Sequence, residues 1–350
     1  MPPTRDGLIV GVVGATGMVG RELLALLERR KFPVRELRPF SSGRTAASVI
    51  FHGRRISAPA VNAAALSSCD LAFLVSSDEV ARTLAPRLAE SGVWTIDDSA
   101  AFRMDPRVPL VIPEVNPGAL RRDARLIAGP NCTMTGLAVA ASRLHREIGV
   151  RAVRVASYQA VSGAGRSALE ELLSQSRALA KTRPDPDGRA PRLPAGIGRA
   201  LPRAIAFNAV PQVGRIGKDG CSGEENKVRD ELRRVLSAPR LPVSATAVRV
   251  PTIRGHALAA WLTLARPLSR ARALAVLRRT PGLSVQDGDK YPTPRSAGGT
   301  DIVGAARVRI GANPREIALW IVSDNLLKGA ALNSTQIAEE LLRRGWLPSR

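Results

Sequence analysis

Aromatic side chains are scarce. Phe, Tyr and Trp together make up 3% of the chain, so the core has to be built from Ala, Val, Leu and Ile. Cysteine is equally thin: Cys69, Cys132 and Cys221 form no spaced pair, which argues against a disulfide framework and a zinc cluster. The three histidines, His52, His145 and His256, are just as dispersed, and no metal site is expected. No uncharged apolar run of about 18 residues occurs, so no membrane span is expected. The start, MPPTRDG, lacks the basic and apolar stretch of a signal peptide. A reducing, cytoplasmic setting is the resulting expectation.

Acid is the other shortage. Asp+Glu is 30 against Lys+Arg 52, a formal net charge of +22. Lysine stands only at 31, 181, 218, 227, 290 and 328, so the cations are almost all Arg. Such a balance invites a nucleic-acid or membrane-surface reading. The charges are scattered through every segment, however, with no run of five or more like charges. No nucleic-acid partner is therefore expected. The positive balance does suit an anionic substrate or cofactor.

What is present is organised in strand–helix units. With 350 residues, two domains are expected, and apolar residues, at 45%, suffice for a sizeable core. Residues 8–20 read LIVGVVGATGMVG: an apolar strand (Leu8 to Val13), a Gly-rich turn, then the helical RELLALLERR. Gly11, Gly14, Gly17 and Gly20 recur every third residue. This is the pattern of a dinucleotide-binding turn, in which glycines admit the pyrophosphate and the helix offers free N–H groups. A second strand, VRELRPF (34–40), runs into SSGRTAAS (41–48). An NAD-type ribose contact needs an acid there; Ser41, Ser42, Arg44 and Thr45 stand instead, which favours the 2′-phosphate of NADP over NAD. CDLAFLVSSDEVARTLAPRLAESG (69–92) and VWTIDDSAAFRM (93–104) continue the alternation, predicting a parallel, doubly wound sheet.

In ARLIAGPNCTMTGLAVAASRLHREIG (124–149) a strand ends at Gly129-Pro130 and Asn131-Cys132-Thr133 opens a long apolar helix. Cys132 thus sits at a helix N-terminus, where the dipole and free N–H groups lower a thiol pKa and, with Asn131, can hold an oxyanion. Geometry alone leaves an inert buried thiol equally open. A nucleophilic Cys needs a base. Of the three histidines only His256, in VRVPTIRGHALAAWLTL (248–264), combines a strand end with nearby basic groups. Further strands are predicted at 151–158, 206–213, 245–250, 257–264, 302–310 and 316–322, a largely antiparallel sheet with one face as the expected dimer surface. The Pro-, Gly- and Arg-rich stretch 181–204 reads as a loop or partner-contacting arm.

Several segments together resemble aspartate-semialdehyde dehydrogenases along nearly the whole chain. They include GATGMVGREL (14–23), DDSAAFRMDPRVPLVIPEVNP (97–117), GPNCTMTGLAVA (129–140), YQAVSGAGRSALEEL (158–172), FNAVPQVG (207–214), SGEENKVRDEL (222–232), VRVPTIRGHA (248–257) and DNLLKGAALNSTQIAEELL (324–342). The resemblance implies Cys132 as the nucleophile that forms a thioester, Gln159 as the residue orienting substrate beside it, and His256 as acid/base. It implies Arg249 for the substrate α-carboxylate, Glu224 for its α-amino group, and Arg103, Asn131 and Lys227 around the phosphate. Gly14, Thr16, Gly17, Met18, Val19, Ser42, Arg44, Thr45, Ser162, Gly163 and Asn325 fall where the family contacts NADP. Glu224 and Lys227, three apart on a predicted helix, can face one site. Two departures stand out: Ala305-Ala306 precede Arg307 where a Gly is usual, and Met134 replaces a small or hydroxyl residue.

The implied fold is α/β: an N-terminal Rossmann-type NADP-binding domain (1–130) plus a mixed α/β substrate and dimerisation domain (131–324). A C-terminal helix (325–350) returns to the first. The implied reaction is NADPH-dependent reductive dephosphorylation of L-4-aspartyl phosphate to L-aspartate 4-semialdehyde and phosphate, feeding lysine, threonine and methionine synthesis. The implied assembly is a homodimer or a dimer of dimers. An N-acetyl-γ-glutamyl-phosphate reductase-like activity and a catalytically silent binding role are the alternatives.

Overall fold

The computed structural model describes residues 7–182, 187 and 200–347. In chain order the elements are β1 (Leu8–Val13), α1 (Met18–Arg29), β2 (Val34–Phe40), β3 (Ser48–Phe51), β4 (Arg54–Ser57), α2 (Ala63–Ser67), β5 (Leu71–Leu74), α3 (Asp78–Glu90), β6 (Trp94–Asp97), β7 (Leu126–Ala128) and α4 (Cys132–Glu147). There follow β8 (Val150–Gln159), α5 (Arg166–Ala180), α6 (Gly223–Val235), β9 (Val243–Arg249), β10 (His256–Leu264), α7 (Arg270–Arg278) and β11 (Leu283–Val285). The chain closes with α8 (Pro294–Ala297), β12 (Val303–Ile310), β13 (Glu316–Ser323), a π-turn (Leu327–Ala331) and α9 (Leu332–Arg343). None of the helices described is long and apolar enough to cross a membrane.

The chain divides into two compact units. The first draws on residues 1–142, 230–240 and 326–350, the second on 143–229 and 241–325. The first unit is built on a five-stranded, wholly parallel sheet in the order β2-β1-β5-β6-β7. Its strands are short apolar runs buried on both faces, LIVGVV and LAFL among them, as a sheet covered by helices on each side requires. Register fixes what comes next. Val13 pairs with Leu74, Leu74 with Asp97 and Asp97 with Ala128, so Gly14, Val75, Asp98 and Gly129 emerge side by side at the carboxyl edge. In an open parallel sheet that edge is where ligands bind. The core of this unit joins Val10, Val12, Leu23 and Phe73 to Leu332, Ile337 and Leu341 of α9. The last helix of the chain is therefore part of the same hydrophobic body as the first strand.

The second unit carries a six-stranded sheet in the order β11-β12-β13-β10-β8-β9. The β8–β10, β10–β13 and β12–β13 pairs are antiparallel, whereas β8–β9 and β11–β12 are parallel, so the sheet is mixed. Burial alternates along β9 and β10, the period of a sheet with one covered face. One expected strand is absent. Residues 206–213 form a loop touching the sheet through a single antiparallel bridge, Val210 to Arg249. Asn208 and Pro211 interrupt the apolar pattern, and a proline cannot donate to a ladder. Of the 181–204 segment, residues 183–186 and 188–199 lie outside the described residues. The architecture, a Rossmann-type unit plus a mixed α/β unit, is the fold class read from the sequence.

Candidate active site

The Gly-rich turn of the first unit leaves no room for side chains. Gly14 has φ +83°, and a Cβ there would lie 2.2 Å from the Val75 carbonyl oxygen. A Cβ on Gly20 would lie 2.2 Å from the Gly14 oxygen, so Gly20 sets how closely α1 approaches the turn. Helix α1 begins after Gly17 with no side-chain cap and no acid in its first turn. Its leading N–H groups and positive dipole end suit an anionic group. Thr16, Met18 and Val19 flank this opening half-buried, and Gly17 is exposed. The fit to a dinucleotide pyrophosphate rests on these features of the chain itself.

Beyond β2, Ser41 is buried and its hydroxyl donates to the Ala58 carbonyl at 2.7 Å. Ser42, Arg44 and Thr45 are exposed, and the Ser42 hydroxyl accepts the Arg44 N–H at 3.5 Å. No acid occurs in 41–48, so nothing in this stretch repels a phosphate.

Cys132 is the first residue of α4, half-buried. Asn131 is the reason the helix starts there: its side-chain oxygen accepts the N–H groups of Thr133 (2.9 Å) and Met134 (3.0 Å). Those two N–H groups are thus engaged by the cap and are not open to an oxyanion. Arg103 is buried below this turn. Its Nε donates to the Gly129 carbonyl (2.9 Å), one Nη to the Asp98 carbonyl (2.7 Å) and the other to Glu231 (3.2 Å). Burial works against the guanidinium charge, but Glu231 and then Cys132 outweigh it and raise the Arg103 pKa above its ordinary value. Glu231 also accepts the Asn131 N–H at 2.6 Å.

The second unit gathers a cluster of its own. Gln159, at the end of β8, donates to Ser157 Oγ (3.1 Å) and to Glu224 on α6 (3.3 Å). Arg249 ends β9, buried, with Nη1 donating to the Ala160 carbonyl at 2.8 Å. His256, the first residue of β10, is fully buried. Its Nδ1 accepts the Ala160 N–H at 3.1 Å, so the neutral ring carries its proton on Nε2. Nε2 is buried and has no partner among the described residues. Burial first, and the Arg249 charge second, push the His256 pKa down to about 3, which keeps the ring neutral at physiological pH.

Gly163 faces this pair directly. A Cβ there would lie 3.0 Å from Arg249 Nη1 and 3.1 Å from His256 Nε2. Ser162 and Asn325 bond each other, and the Asn325 oxygen accepts the Gly255 N–H at 2.9 Å. Lys227 lies half-buried one turn beyond Glu224.

The structure therefore brings Gln159, Ser162, Gly163, Glu224, Arg249, His256 and Asn325 together in one unit. It sets Arg103, Asn131 and Cys132 around one turn of the other. Sequence reasoning missed Glu231 and Asp98. Glu231 was findable, because it lies four residues after Lys227 on the same helix. Asp98 is buried at the carboxyl edge, its pKa pushed up to about 6 by burial; it accepts the Ser334 hydroxyl. Only the sheet register reveals its place.

Residues 9–122 match the family described as semialdehyde dehydrogenase, NAD binding domain, and residues 142–328 the semialdehyde dehydrogenase, dimerisation domain. The first unit accordingly binds a nicotinamide cofactor. The aspartate-semialdehyde dehydrogenase of Synechocystis sp. is 38% identical over 97% of this chain and 98% of its own. That of Streptomyces akiyoshiensis is 40% identical over 94% and 97%. Among solved structures, aspartate semialdehyde dehydrogenase II from Vibrio cholerae superposes with a TM-score of 0.89 at 35% identity, covering 96% of this chain and 99% of that one. The same enzyme complexed with ASA gives a TM-score of 0.88 at 34% identity, covering 96% and 98%. With relatives 38% and 40% identical along nearly its whole length, the chain belongs to the aspartate-semialdehyde dehydrogenase family.

Proposed function

We propose that this chain reduces L-4-aspartyl phosphate to L-aspartate 4-semialdehyde with NADPH, releasing inorganic phosphate. The observation that carries the reading is a thiol at the first residue of α4 in a chain that also holds Gln159, Glu224, Arg249 and His256 in one buried cluster. The dipole of α4 favours the Cys132 thiolate. Its sulfur attacks the acyl carbon, the C–O bond to phosphate breaks, and a thioester forms on Cys132. When bound, the cofactor supplies a hydride. His256 contributes its Nε2–H to the carbonyl oxygen as negative charge collects there. The tetrahedral oxyanion then collapses to the aldehyde and expels the sulfur as thiolate, and the one proton that the overall reduction takes up ends on the departed phosphate, drawn from solvent.

Arg249 holds the α-carboxylate, Glu224 the α-amino group, and Gln159 orients the acyl group. Arg103, Asn131 and Lys227 surround the phosphate. Ser42, Arg44 and Thr45 receive the 2′-phosphate, making the cofactor NADP. The chain works as a cytoplasmic homodimer.

The test is phosphate-dependent formation of NADPH from the semialdehyde. Cys132→Ser is expected to lower kcat by about a thousandfold or more, because the hydroxyl is the poorer nucleophile and leaving group. Turnover of the variant near that of wild type would remove Cys132 from the mechanism.

A further inference from the structure

Cys132 has a neighbour that no role yet accounts for. The segment before α9 is a π-turn, Leu327–Ala331, with the Ala331 N–H bonded to the Leu326 carbonyl at 3.1 Å. Its middle residue, Gly329, lies against the nucleophile. A Cβ at Gly329 would stand 2.7 Å from Cys132 Cβ, 3.0 Å from its Cα and 3.3 Å from its carbonyl oxygen. Carbon atoms rest at about 3.5–4.0 Å, so the thiol-bearing residue or the turn would have to move by about an ångström.

The turn is not loose enough to be the part that yields. Lys328, next to Gly329, is 1% exposed, and its ammonium makes three bonds: to Glu114 (2.6 Å), Asn333 (3.1 Å) and Gln336 (2.6 Å). Gln336 in turn donates to the other Glu114 oxygen (2.9 Å), and Asn333 to the Val111 carbonyl (2.9 Å). All three ammonium donors are satisfied, which is the condition for keeping a charge buried. A one-residue widening of a helix is rare and is frequently found at functional sites. Both features converge on placing a residue without a side chain against Cys132.

We propose that Gly329 is a positioning residue for Cys132. The π-turn forms a fixed wall that aims the sulfur, and the Lys328–Glu114–Gln336–Asn333 cluster holds that wall in place. The inference rests on Cys132 being the nucleophile, so its test reads the thiol directly as well as turnover. Carboxamidomethylation of Cys132 by iodoacetamide is followed by peptide mass across pH in wild type, Gly329→Ala and Lys328→Gln, alongside kcat, NADP affinity and thermal midpoint.

Gly329→Ala is expected to slow both alkylation and kcat by about tenfold to a hundredfold, the cost of a misaimed group, with NADP affinity held within about twofold. Lys328→Gln, which loosens the wall without filling the space, should slow alkylation and kcat in the same sense by a smaller factor. It is read in the same way should Gly329→Ala not fold. Alkylation and kcat within about twofold of wild type would overturn the proposal. An active Cys132→Ser would instead overturn the nucleophile assignment on which it stands.

Discussion

At the scale of single residues, the site depends on groups whose protonation is set by what lies beside them. His256 is an example: Ala160 offers an N–H to Nδ1, Arg249 offers a positive charge, and burial removes water, so all three oppose the imidazolium. A ring in that state is neutral and offers a hydrogen-bond donor through Nε2. Arg44 is an exposed guanidinium in a stretch without acids. Arg44→Ala is expected to raise KM for NADP by about tenfold while leaving that for NAD within about twofold, since a charge-assisted phosphate contact is worth about 1.5–3 kcal/mol. Steady-state kinetics with both cofactors checks this. An unchanged NADP/NAD ratio would remove the 2′-phosphate role.

At the scale of elements, α6 shows how one helix serves several tasks. Glu224 meets Gln159, and two turns later Glu231 meets Arg103 and the Asn131 N–H. Removing Glu231 leaves a guanidinium buried without its carboxylate. Glu231→Ala is expected to lose about 3–5 kcal/mol, read from the urea midpoint, and Glu231→Gln rather less. Much of this level was legible in advance. The β1–turn–α1 unit announced itself through glycine spacing, and Cys132 at the head of α4 through the Gly129-Pro130-Asn131 breaker. What stayed hidden depended on contacts distant in sequence. Residues 206–213 have strand-like composition, yet only Val210 finds a ladder partner. The Asn131 cap, which takes up the N–H groups expected to hold an oxyanion, is set by side-chain geometry rather than by pattern. The last helix was read as continuous from 325, but a π-turn over Leu327–Ala331 carrying the buried Lys328 precedes α9, and no propensity scale contains such an interruption.

At the scale of the whole molecule, buried ionisable groups give stability an uneven dependence on pH. Asp98 has a folded pKa of about 6, above its unfolded value, so its contribution is fully present in acid and is lost as pH rises through 6. His256, depressed to about 3, runs the other way: its contribution is present above the unfolded histidine pKa and is lost as pH falls below that value toward 3. Asp98→Asn removes the charge without the shape. At pH 7.5 the variant should exceed wild type by on the order of 1–3 kcal/mol, and the difference should vanish by about pH 4. Urea unfolding at several pH values decides it, and a pH-independent difference would show that the Asp98 carboxylate is not strained by burial.

The dispersed connectivity of the first unit has a consequence for how such a chain can be dissected. Leu332, Ile337 and Leu341 belong to the same apolar body as Val10 and Phe73, although more than two hundred residues separate them along the chain. A truncation after residue 142 would strip that body of one wall and leave leucines facing solvent. The nucleotide-binding half is consequently no portable cassette: it reaches its final form only once α9 has been synthesised, and gene fusion or domain shuffling has no single seam at which to cut it.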